Sequence, residues 1–322
     1  MVKLAEIAKA SGFSIPVVSR VLNPNPNIEV KIAPKTRELI LETAKRMKYR
    51  PNRNAEFLKR GQNPVIGVFL PHFRNSLITD LVMGISEAAQ KHGFPVSFAF
   101  ETSFENYRKF IKETSGRRNC GIITYPYFQL DNEATKLIEG YCHNGGKMVM
   151  VNADKSLYRV PHVGMDDHFG GWIAAEHLLE RGCEEFIIID GIPERRNGFA
   201  ARLKEQGGDC SIYPECTESY RIVVEQCRKS GRKIGIFTCA DRMAATLHGL
   251  LLQAGMVPGE RVKLIGYDDL FLSRHLAPAL TTVSQPFTES GRLAVDKLVD
   301  IIYDRPAESV ALKPELIVRK TT

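Results

Sequence analysis

The sequence contains no long apolar segment and no targeting signal of the kind that would place the chain in or across a membrane. Its longest apolar runs, residues 65–70 and 186–189, fall well short of the roughly 18–20 consecutive apolar residues that a membrane helix needs. The first ten residues, MVKLAEIAKA, lack the apolar stretch and the small-residue cleavage site of a signal peptide. We therefore expect no contact with a membrane and a cytoplasmic location.

Cysteine is scarce and unpaired. The seven cysteines are an odd number, lie far apart and form no C-x-x-C pair. A disulfide framework or a zinc site requires tighter, paired spacing, so we expect neither of them. The cysteines are predicted to be small apolar side chains in the core.

Sequence motifs of catalysis and cofactor binding are also missing. No G-x-G occurs, and the Gly-Gly-Lys run at 145–147 is followed by Met148 instead of the Ser or Thr of a phosphate-binding loop. There is no H-x-x-x-H and no G-x-S-x-G. The Asp-Asp-His run at 166–168 has the residue types for acid–base or metal chemistry, but neighbours on a strand-to-loop segment commonly point apart. The sequence therefore predicts no catalytic residue, no metal and no cofactor.

Acidic residues are depleted at the amino-terminal end, and this uneven charge distribution is the first indication of a function. Residues 1–60 hold 13 Lys and Arg against five Glu and no Asp, a net charge of +8. The other residues of the 322 hold 31 Lys and Arg against 32 Asp and Glu. A basic segment on a nearly neutral body is typical of a polyanion-binding module joined to a separate unit. A chain of this length suits two or three such units.

The basic segment has the pattern of three short helices. Apolar residues recur from Leu4 at the interval of one buried helical face, and a turn at Gly12 separates this helix from a second one at 15–22. A third helix begins near Pro34. The side chains expected to be buried in the last two helices are Val18, Val21, Leu22, Leu39, Ile40, Ala44 and Met47. This arrangement predicts a helix-turn-helix unit, which binds DNA in many proteins but can also be purely structural.

Beyond a polar and basic stretch at 50–63, apolar strands alternate with helices. The strands are predicted at 65–70, 96–100, 121–124, 148–151, 186–190, 234–238 and 262–266. The helices are predicted at 78–92, 104–114, 133–142, 170–181, 195–206, 218–229, 241–254 and 288–304. Continuously apolar strands separated by helices indicate parallel sheets covered on both faces. Ligands of such folds bind beyond the carboxyl ends of the strands, in the loops that open the next helices.

Several motifs occur in the order that is found in one known family. They are VKLAEIAKASGFSIPVVSRVLN at 2–23, YRPN at 49–52, GMDD at 164–167, GG at 170–171, AAEHL at 174–178, RxxGF at 195–199, DRMA at 241–244, GYDD at 266–269, LTTVxQP at 280–286 and LIVR at 316–319. Over essentially its whole length the chain thus resembles the lactose-repressor/galactose-repressor (LacI/GalR) family of transcription regulators. It departs from the family at Ala240, where an effector-contacting Asn is usual, and in the longer segment at 24–32.

This resemblance implies a division of the chain into a head, a linker and a body. A small all-α DNA-binding domain is expected at 1–50, a hinge linker at 51–63 and an effector-binding domain at 64–322. The effector-binding domain is expected to have the two-lobed α/β fold of periplasmic binding proteins, with parallel sheets. Lobe one is expected at about 64–162 plus 287–308, and lobe two at about 163–286 plus 309–322.

The resemblance places the second helix of the head in the major groove of DNA, with its N-terminal residues against base edges. Arg20 is the strongest candidate for a base contact, because its planar guanidinium can reach guanine O6 and N7 together. Ile15 and Pro16 lie where family members vary their operator preference, and apolar side chains there contact a thymine methyl or exclude a wrong base. Phosphate contacts that fix the register are expected from Ser14, Ser19, Asn23 and Tyr49.

The linker pattern implies a hinge helix in the minor groove, with Ala55 and Leu58 as its candidate contacts. A lone Leu in a basic linker is ordinarily a helix anchor. In the family's pattern Leu58 is instead the apolar wedge at the operator centre, and such a wedge unstacks one base step and bends the duplex. Two hinge helices must meet there, so we expect a homodimer on a palindromic operator.

The body implies a small-molecule effector in the cleft between the lobes. Arg195 and Asp268 are expected to face each other across this cleft and to bind the hydroxyls of a polyol, so a carbohydrate is the expected effector. Phe73, Asn75 and Ser76, after the first strand, are further candidate contacts. The sequence therefore predicts a DNA-binding repressor controlled by this effector. A sugar-binding protein without regulatory DNA binding is the alternative.

Overall fold

The computed structural model describes residues 2–22, 32–49, 57, 61–72, 76–127, 131–152 and 160–322. The candidate residues Asn23, Ala55, Leu58, Phe73 and Asn75 lie outside these ranges. No helix in the described part of the chain combines the length and the apolar character that crossing a bilayer requires.

Three helices form the head, as predicted. They are α1 (Leu4–Ser11), α2 (Ile15–Leu22) and α3 (Pro34–Arg46). Gly12 ends α1 with φ of 76°, a left-handed conformation that glycine adopts without strain and that allows the tight turn into α2. Ile7, Val18 and Ile40 are completely buried and pack together at the centre of the head. The predicted burial of Leu39 is wrong: its neighbour Ile40 occupies the inward face of α3, and Leu39 is 48% exposed.

The body begins at residue 63 and alternates strands with helices. Its strands are β1 (Asn63–Leu70), β2 (Val96–Phe100), β3 (Asn119–Thr124), β4 (Met148–Val151), β5 (His162–Met165), β6 (Glu185–Asp190), β7 (Ser211–Pro214), β8 (Ile234–Thr238), β9 (Val262–Asp268), β10 (Thr281–Ser284), β11 (Val310–Leu312) and β12 (Glu315–Ile317). Its helices are α4 (Ser76–His92), α5 (Phe104–Gly116), α6 (Asn132–His143), α7 (Asp167–Glu180), α8 (Pro193–Glu205), α9 (Thr217–Lys229), α10 (Asp241–Gln253), α11 (Phe271–His275) and α12 (Phe287–Ile302).

The strands form two six-stranded sheets, one in each lobe. The orders are β11-β5-β4-β3-β1-β2 and β12-β10-β9-β8-β6-β7. The strand pairs are parallel except for β10 with β12, which is antiparallel. Side chains alternate between the faces of a strand: Val68 and Leu70 belong to the core on one face of the first sheet, while Phe69 packs in the core on the other face. The predicted α/β architecture is thus confirmed.

The chain crosses between the lobes three times, at Asp166, at 285–286 and at 313–314. After the second crossing α12 packs on α4 of lobe one, and after the third β12 joins the second sheet. Strands β5 and β11 are bonded into the first sheet, so the chain changes sheets a few residues later than the expected limits at 162 and 308.

The cysteines contribute mainly to the core. Cys120, Cys183, Cys227 and Cys239 are buried, as predicted, whereas Cys216 is exposed at the N-terminus of α9.

Candidate functional site

A cleft of about 610 Å³ lies between the lobes, at the carboxyl edges of both sheets. Tyr125 and Asn152, which follow β3 and β4, contribute to its lobe-one side. The lobe-two wall comes from the loops that follow β5, β6, β8 and β9, and it includes Arg195 and Asp268. This is the edge at which α/β folds bind ligands, because the helix N-termini and the loops converge there.

Arg195 is the centre of the lobe-two wall and is only 4% exposed. Its Nε donates to Asp167 Oδ1 at 2.8 Å, and its Nη1 donates to the Cys239 carbonyl at 2.7 Å and to Asp268 Oδ1 at 3.3 Å. Its guanidinium carbon lies 3.6 Å from the centroid of the Tyr267 ring, in a cation–π contact. Two carboxylates and a carbonyl thus replace the water that burial removes from the guanidinium.

Burial and charge oppose each other in the pair formed by Arg195 and Asp268. Burial raises the pKa of Asp268 to about 6, and the charge of Arg195 counteracts this rise. For Arg195, burial alone lowers the pKa, but Asp167 and Asp268 together hold the pKa above its ordinary value. The wall therefore keeps a fixed positive charge beside a carboxyl group that is less acidic than usual.

Gln285 extends this wall from the second crossing segment. Its Nε2 donates to Asp268 Oδ1 at 2.7 Å. Its Oε1 is buried and accepts no hydrogen bond from any residue that the structure describes. Asp268 has φ of 113°, a conformation that costs a residue other than glycine of order 1–3 kcal/mol and that is often found at binding sites.

Two glycines bring the N-terminal turns of α7 and α8 together. A Cβ atom at Gly171 would lie 1.9 Å from the carbonyl oxygen of Arg195, and one at Gly198 would lie 1.8 Å from that of His168. Neither position can hold a side chain unless the helices separate. This close crossing places Asp167, at the start of α7, beside Arg195 on α8.

Asp241 supports the wall from behind and is completely buried. Its Oδ2 accepts hydrogen bonds from the Leu270 N–H at 2.7 Å and the Ser273 hydroxyl at 2.6 Å, and its Oδ1 accepts one from the Thr282 hydroxyl at 2.5 Å. Burial raises the pKa of Asp241 to about 7, although these hydrogen bonds oppose the rise. The carboxyl group joins α10 to β10 and to the segment that follows Asp268.

The structure brings Arg195 and Asp268 together, but not across the cleft as expected. Arg195 lies in the first turn of α8, which follows β6, and Asp268 is the last residue of β9. The two therefore lie side by side on one wall. Ser76 begins α4, next to the cleft residue Leu77. Sequence reasoning assigned no binding role to three residues of this site, namely Asp167, Gln285 and Asp241. Each lay within a family motif, which was the only signal available for it.

The described DNA-contact candidates are accessible on the head. Ile15 is 49% exposed, and Ser14, Pro16 and Arg20 are exposed as well. Ser19 and Tyr49 are partly exposed. The basic side chains of the described head are also exposed, namely Lys3, Lys9, Lys35, Arg37, Lys45, Arg46 and Lys48. The head therefore presents a basic surface that includes the N-terminal turn of α2.

The run at 166–168 has structural contacts that differ from one residue to the next. Asp166 caps α7 by accepting a hydrogen bond from the Phe169 N–H at 3.0 Å, Asp167 pairs with Arg195, and His168 is exposed. Among the residues with described placement, no group of three or more His, Cys, Asp or Glu side chains is positioned to hold a metal ion.

Comparisons with known proteins cover both parts of the chain. The family model for bacterial regulatory proteins of the lacI family matches residues 3–52, and the model for the periplasmic binding protein-like domain matches residues 175–322. The ribose operon repressor of Halalkalibacterium halodurans is 26% identical over 344 residues, which cover 100% of this chain and 97% of the relative.

Solved structures share the fold over the whole length. The complex of the transcriptional regulator CelR with cellobiose has a TM-score of 0.69 at 22% identity and covers 100% of both chains. The lac repressor dimer bound to operator and the anti-inducer ONPF also has a TM-score of 0.69 at 22% identity, over 99% of this chain and 98% of that one. The relatives are regulators and not enzymes, in line with the absence of catalytic motifs. The helix-turn-helix head, the two-lobed body and the order of the motifs agree, and the protein belongs to the LacI/GalR family of transcriptional regulators.

Proposed function

We propose that the protein is a cytoplasmic repressor that binds a palindromic operator as a homodimer, and that a carbohydrate in the cleft between the lobes sets its operator affinity. The observation that carries this proposal is the unpartnered acceptor on the lobe-two wall. Gln285 Oε1 is buried in the cleft, beside Asp268 and Arg195, and accepts no hydrogen bond from a described residue. A buried acceptor of this kind favours a ligand that donates to it.

The hydrogen-bonding groups of the wall suit a ligand that carries hydroxyl groups on adjacent carbon atoms. Within the described residues, Arg195 Nη2 donates to no acceptor and Asp268 Oδ2 accepts from no donor. A hydroxyl group both donates and accepts, so adjacent hydroxyls can accept from Arg195 while they donate to Asp268 and Gln285. The cellobiose held by the structurally similar CelR supports a carbohydrate for this site.

The crossings between the lobes offer a route from the cleft to the head. Asp166 and Gln285 lie in crossing segments and also line the cleft, and the Asp166 N–H donates to the carbonyl of Leu312 beside the third crossing at 2.8 Å. A ligand that contacts this wall therefore favours one angle between the lobes over another. Lobe one begins at β1, directly after the linker, so its orientation sets the separation of the two heads in a dimer.

On DNA, we propose that α2 lies in the major groove, with Arg20, Ile15 and Pro16 against bases. Ser14, Ser19, Asn23 and Tyr49 would hold phosphates, and Ala55 and Leu58 would enter the minor groove. The proposed effector contacts are Arg195 and Asp268, with Phe73, Asn75 and Ser76. The alternative, a sugar-binding protein without regulatory DNA binding, leaves the packed and basic head without a role.

The experiment begins with selection of the operator from a random DNA pool. The operator complex is then titrated with mono- and disaccharides, and affinity is measured by fluorescence anisotropy. We expect one sugar to change operator affinity at least tenfold. Asp268→Asn should remove this response and preserve sugar-free operator binding, whereas the control Asp209→Asn, in an exposed loop of the same lobe, should respond normally. No selected operator, or an unchanged response in Asp268→Asn, would refute the proposal.

A further inference from the structure

One part of the lobe-two wall beside Arg195 is apolar, although the charged residues Glu194, Glu215 and Arg242 also line the cleft. The loops after β6 and β8, together with the first turn of α10, bring to the cleft a group of residues that we call the apolar shelf: Gly191, Ile192, Cys239, Ala240 and Met243. Arg195 Nη1 donates to the Cys239 carbonyl at 2.7 Å, so the shelf begins one hydrogen bond away from the guanidinium. The next ligand group beyond one that binds Arg195 therefore meets apolar side chains.

The side chains of the shelf offer a ligand few hydrogen-bonding groups. Arg195 occupies the Cys239 carbonyl, while the Ala240 carbonyl accepts from the Thr238 hydroxyl at 3.1 Å and from the Met243 N–H at 3.1 Å. The one polar side-chain group of the shelf is the thiol of Cys239, a residue that is completely buried. A hydroxyl group placed on the shelf would lose water without gaining a side-chain partner there.

Met243 packs closely behind Gly191 on the shelf. A Cβ atom at Gly191 would lie 2.6 Å from the terminal methyl carbon of Met243, which is itself buried. The shelf therefore cannot take up a larger side chain at Gly191 unless Met243 moves. Its shallow apolar surface is set by Ala240, which is partly exposed to the cleft.

Ala240 also goes against the local preference of its helix. It is the N-cap residue of α10, with φ of −159° and ψ of 149°, and it makes no side-chain cap hydrogen bond. Asn, Asp and Ser are preferred at this position because their side chains accept from the first free N–H groups of the helix. Ala240 lines the cleft, so the N-cap position of α10 presents a methyl group to a ligand and no hydrogen-bonding side chain.

We infer that the ligand presents a methyl or methylene group to Ala240, next to the hydroxyls bound by Arg195, Asp268 and Gln285, and is therefore a deoxy sugar. This inference rests on the proposed function of the cleft as a carbohydrate site. An apolar pocket rejects an added hydroxyl only moderately, by about 10- to 100-fold. We expect a preference at the lower end of this range, since Ala240 provides a single methyl group.

The test compares sugars that differ by one hydroxyl group. Calorimetric titration of the full chain would use 6-deoxy-D-glucose with D-glucose, L-fucose with L-galactose, L-rhamnose with L-mannose, and 2-deoxy-D-ribose with D-ribose. In the pair that binds most tightly, we expect the deoxy sugar to bind about tenfold more tightly than its partner. Ala240→Asn and Ala240→Ser should bring this ratio to about one or below, because each adds a hydrogen-bonding group to the shelf.

The matched control is Ala254→Asn, which makes the same substitution at the C-cap of α10, the opposite end of the helix. It should leave the ratio unchanged, and thermal unfolding should show that the Ala240 variants are folded. Sugar binding without a deoxy preference, or an equal ratio in Ala240→Asn and wild type, overturns the inference and leaves the proposed function standing. If no sugar of any pair binds but a sugar changes operator affinity in the titration described above, the inference alone fails. If no sugar has an effect in either experiment, the carbohydrate function fails and the inference fails with it.

Discussion

Arg195 stacks on Tyr267, and both side chains bind the same carboxylate oxygen. The guanidinium carbon lies 3.6 Å from the ring centroid, and Asp167 Oδ1 accepts from Arg195 Nε at 2.8 Å and from the Tyr267 hydroxyl at 2.9 Å. A Cβ atom at Gly170 would lie 2.2 Å from that hydroxyl, so the tyrosine is held closely from behind. The orientation of the guanidinium is therefore set before any ligand arrives, which reduces the entropy lost on binding.

Arg195→Ala should strongly destabilise the protein, because it leaves Asp167 and Asp268 in a largely buried site without their shared cation. We expect the free energy of unfolding to fall by about 3–5 kcal/mol, measured by urea denaturation. Arg195→Lys should keep more of this stability but lose ligand affinity, since an ammonium cannot reproduce the planar set of donors. Arg232→Ala is the control, because that side chain is 66% exposed. Equal stability of Arg195→Ala and the control would contradict the prediction.

Gly198→Ala should force α7 and α8 apart, because its Cβ would lie 1.8 Å from the His168 carbonyl oxygen. We expect a loss of roughly 3 kcal/mol or more in unfolding free energy, since neither backbone can yield by a rotamer change. Gly249→Ala, where a Cβ meets nothing within 4 Å inside α10, should instead stabilise the protein by about 0.5–1 kcal/mol. Thermal and urea unfolding of both variants would measure these changes, and similar behaviour of the two would contradict the packing argument.

Asp241 should make stability fall as pH rises from about 4 to 7. Burial raises its folded-state pKa to about 7 from an ordinary value of 3.8. In this window the folded state holds a proton that the unfolded state has released, so raising the pH favours unfolding. Asp241→Asn cannot ionise, and its stability relative to wild type should rise over this window by on the order of 2–4 kcal/mol. Urea unfolding of wild type and Asp241→Asn at several pH values measures this difference. If the free energies of unfolding of the two proteins changed in parallel between about pH 4 and 7, the carboxyl group would not titrate in this window.

Arg20→Ala should cost roughly 1–3 kcal/mol of operator binding and relax the base preference at one position of each half-site. Wild-type affinity should fall steeply with salt, because the basic head releases counterions from DNA phosphates. Lys45→Ala, an exposed position on α3, should weaken operator and random DNA to a similar extent. Anisotropy titrations at several salt concentrations measure both effects. Unchanged discrimination in Arg20→Ala would mean that Arg20 contacts no base.

Leu58→Ser should reduce the operator bend and the specific affinity, while weak non-specific binding persists. An isolated segment of about six residues is too short to be a stable helix, so we propose that the hinge forms a helix when two copies pack at the operator centre. If Leu58 is the proposed apolar wedge, its replacement removes the contact that would stabilise the unstacked base step. A gel-mobility bend assay compares the two proteins, and an equally bent complex with the serine variant would show that Leu58 is a packing residue.

Helices, strands and turns that depend on residues close together in the chain were predictable from the sequence. The helical repeat of apolar residues and the turn at Gly12 predicted the head, and continuously apolar strands predicted the α/β body, because these patterns act within one element. Leu39 shows the limit of this reasoning. Two adjacent apolar residues on α3 satisfy a period of 3.6 residues almost equally well, and only packing against α1 and α2 selected Ile40 for the core.

Short elements and the detailed geometry of the cleft depended on the tertiary structure. Strands β7, β10, β11 and β12 have three or four residues, too few for a period, and exist because neighbouring strands supply their hydrogen-bond partners. The sequence by itself determined that this is a basic helix-turn-helix head on a two-lobed body, with Arg195 and Asp268 as binding candidates. Asp167 and Gln285 joined that pair only in the folded chain, because Asp167 lies 28 positions from Arg195, and Gln285 lies 17 positions from Asp268. The order of the strands brings them together.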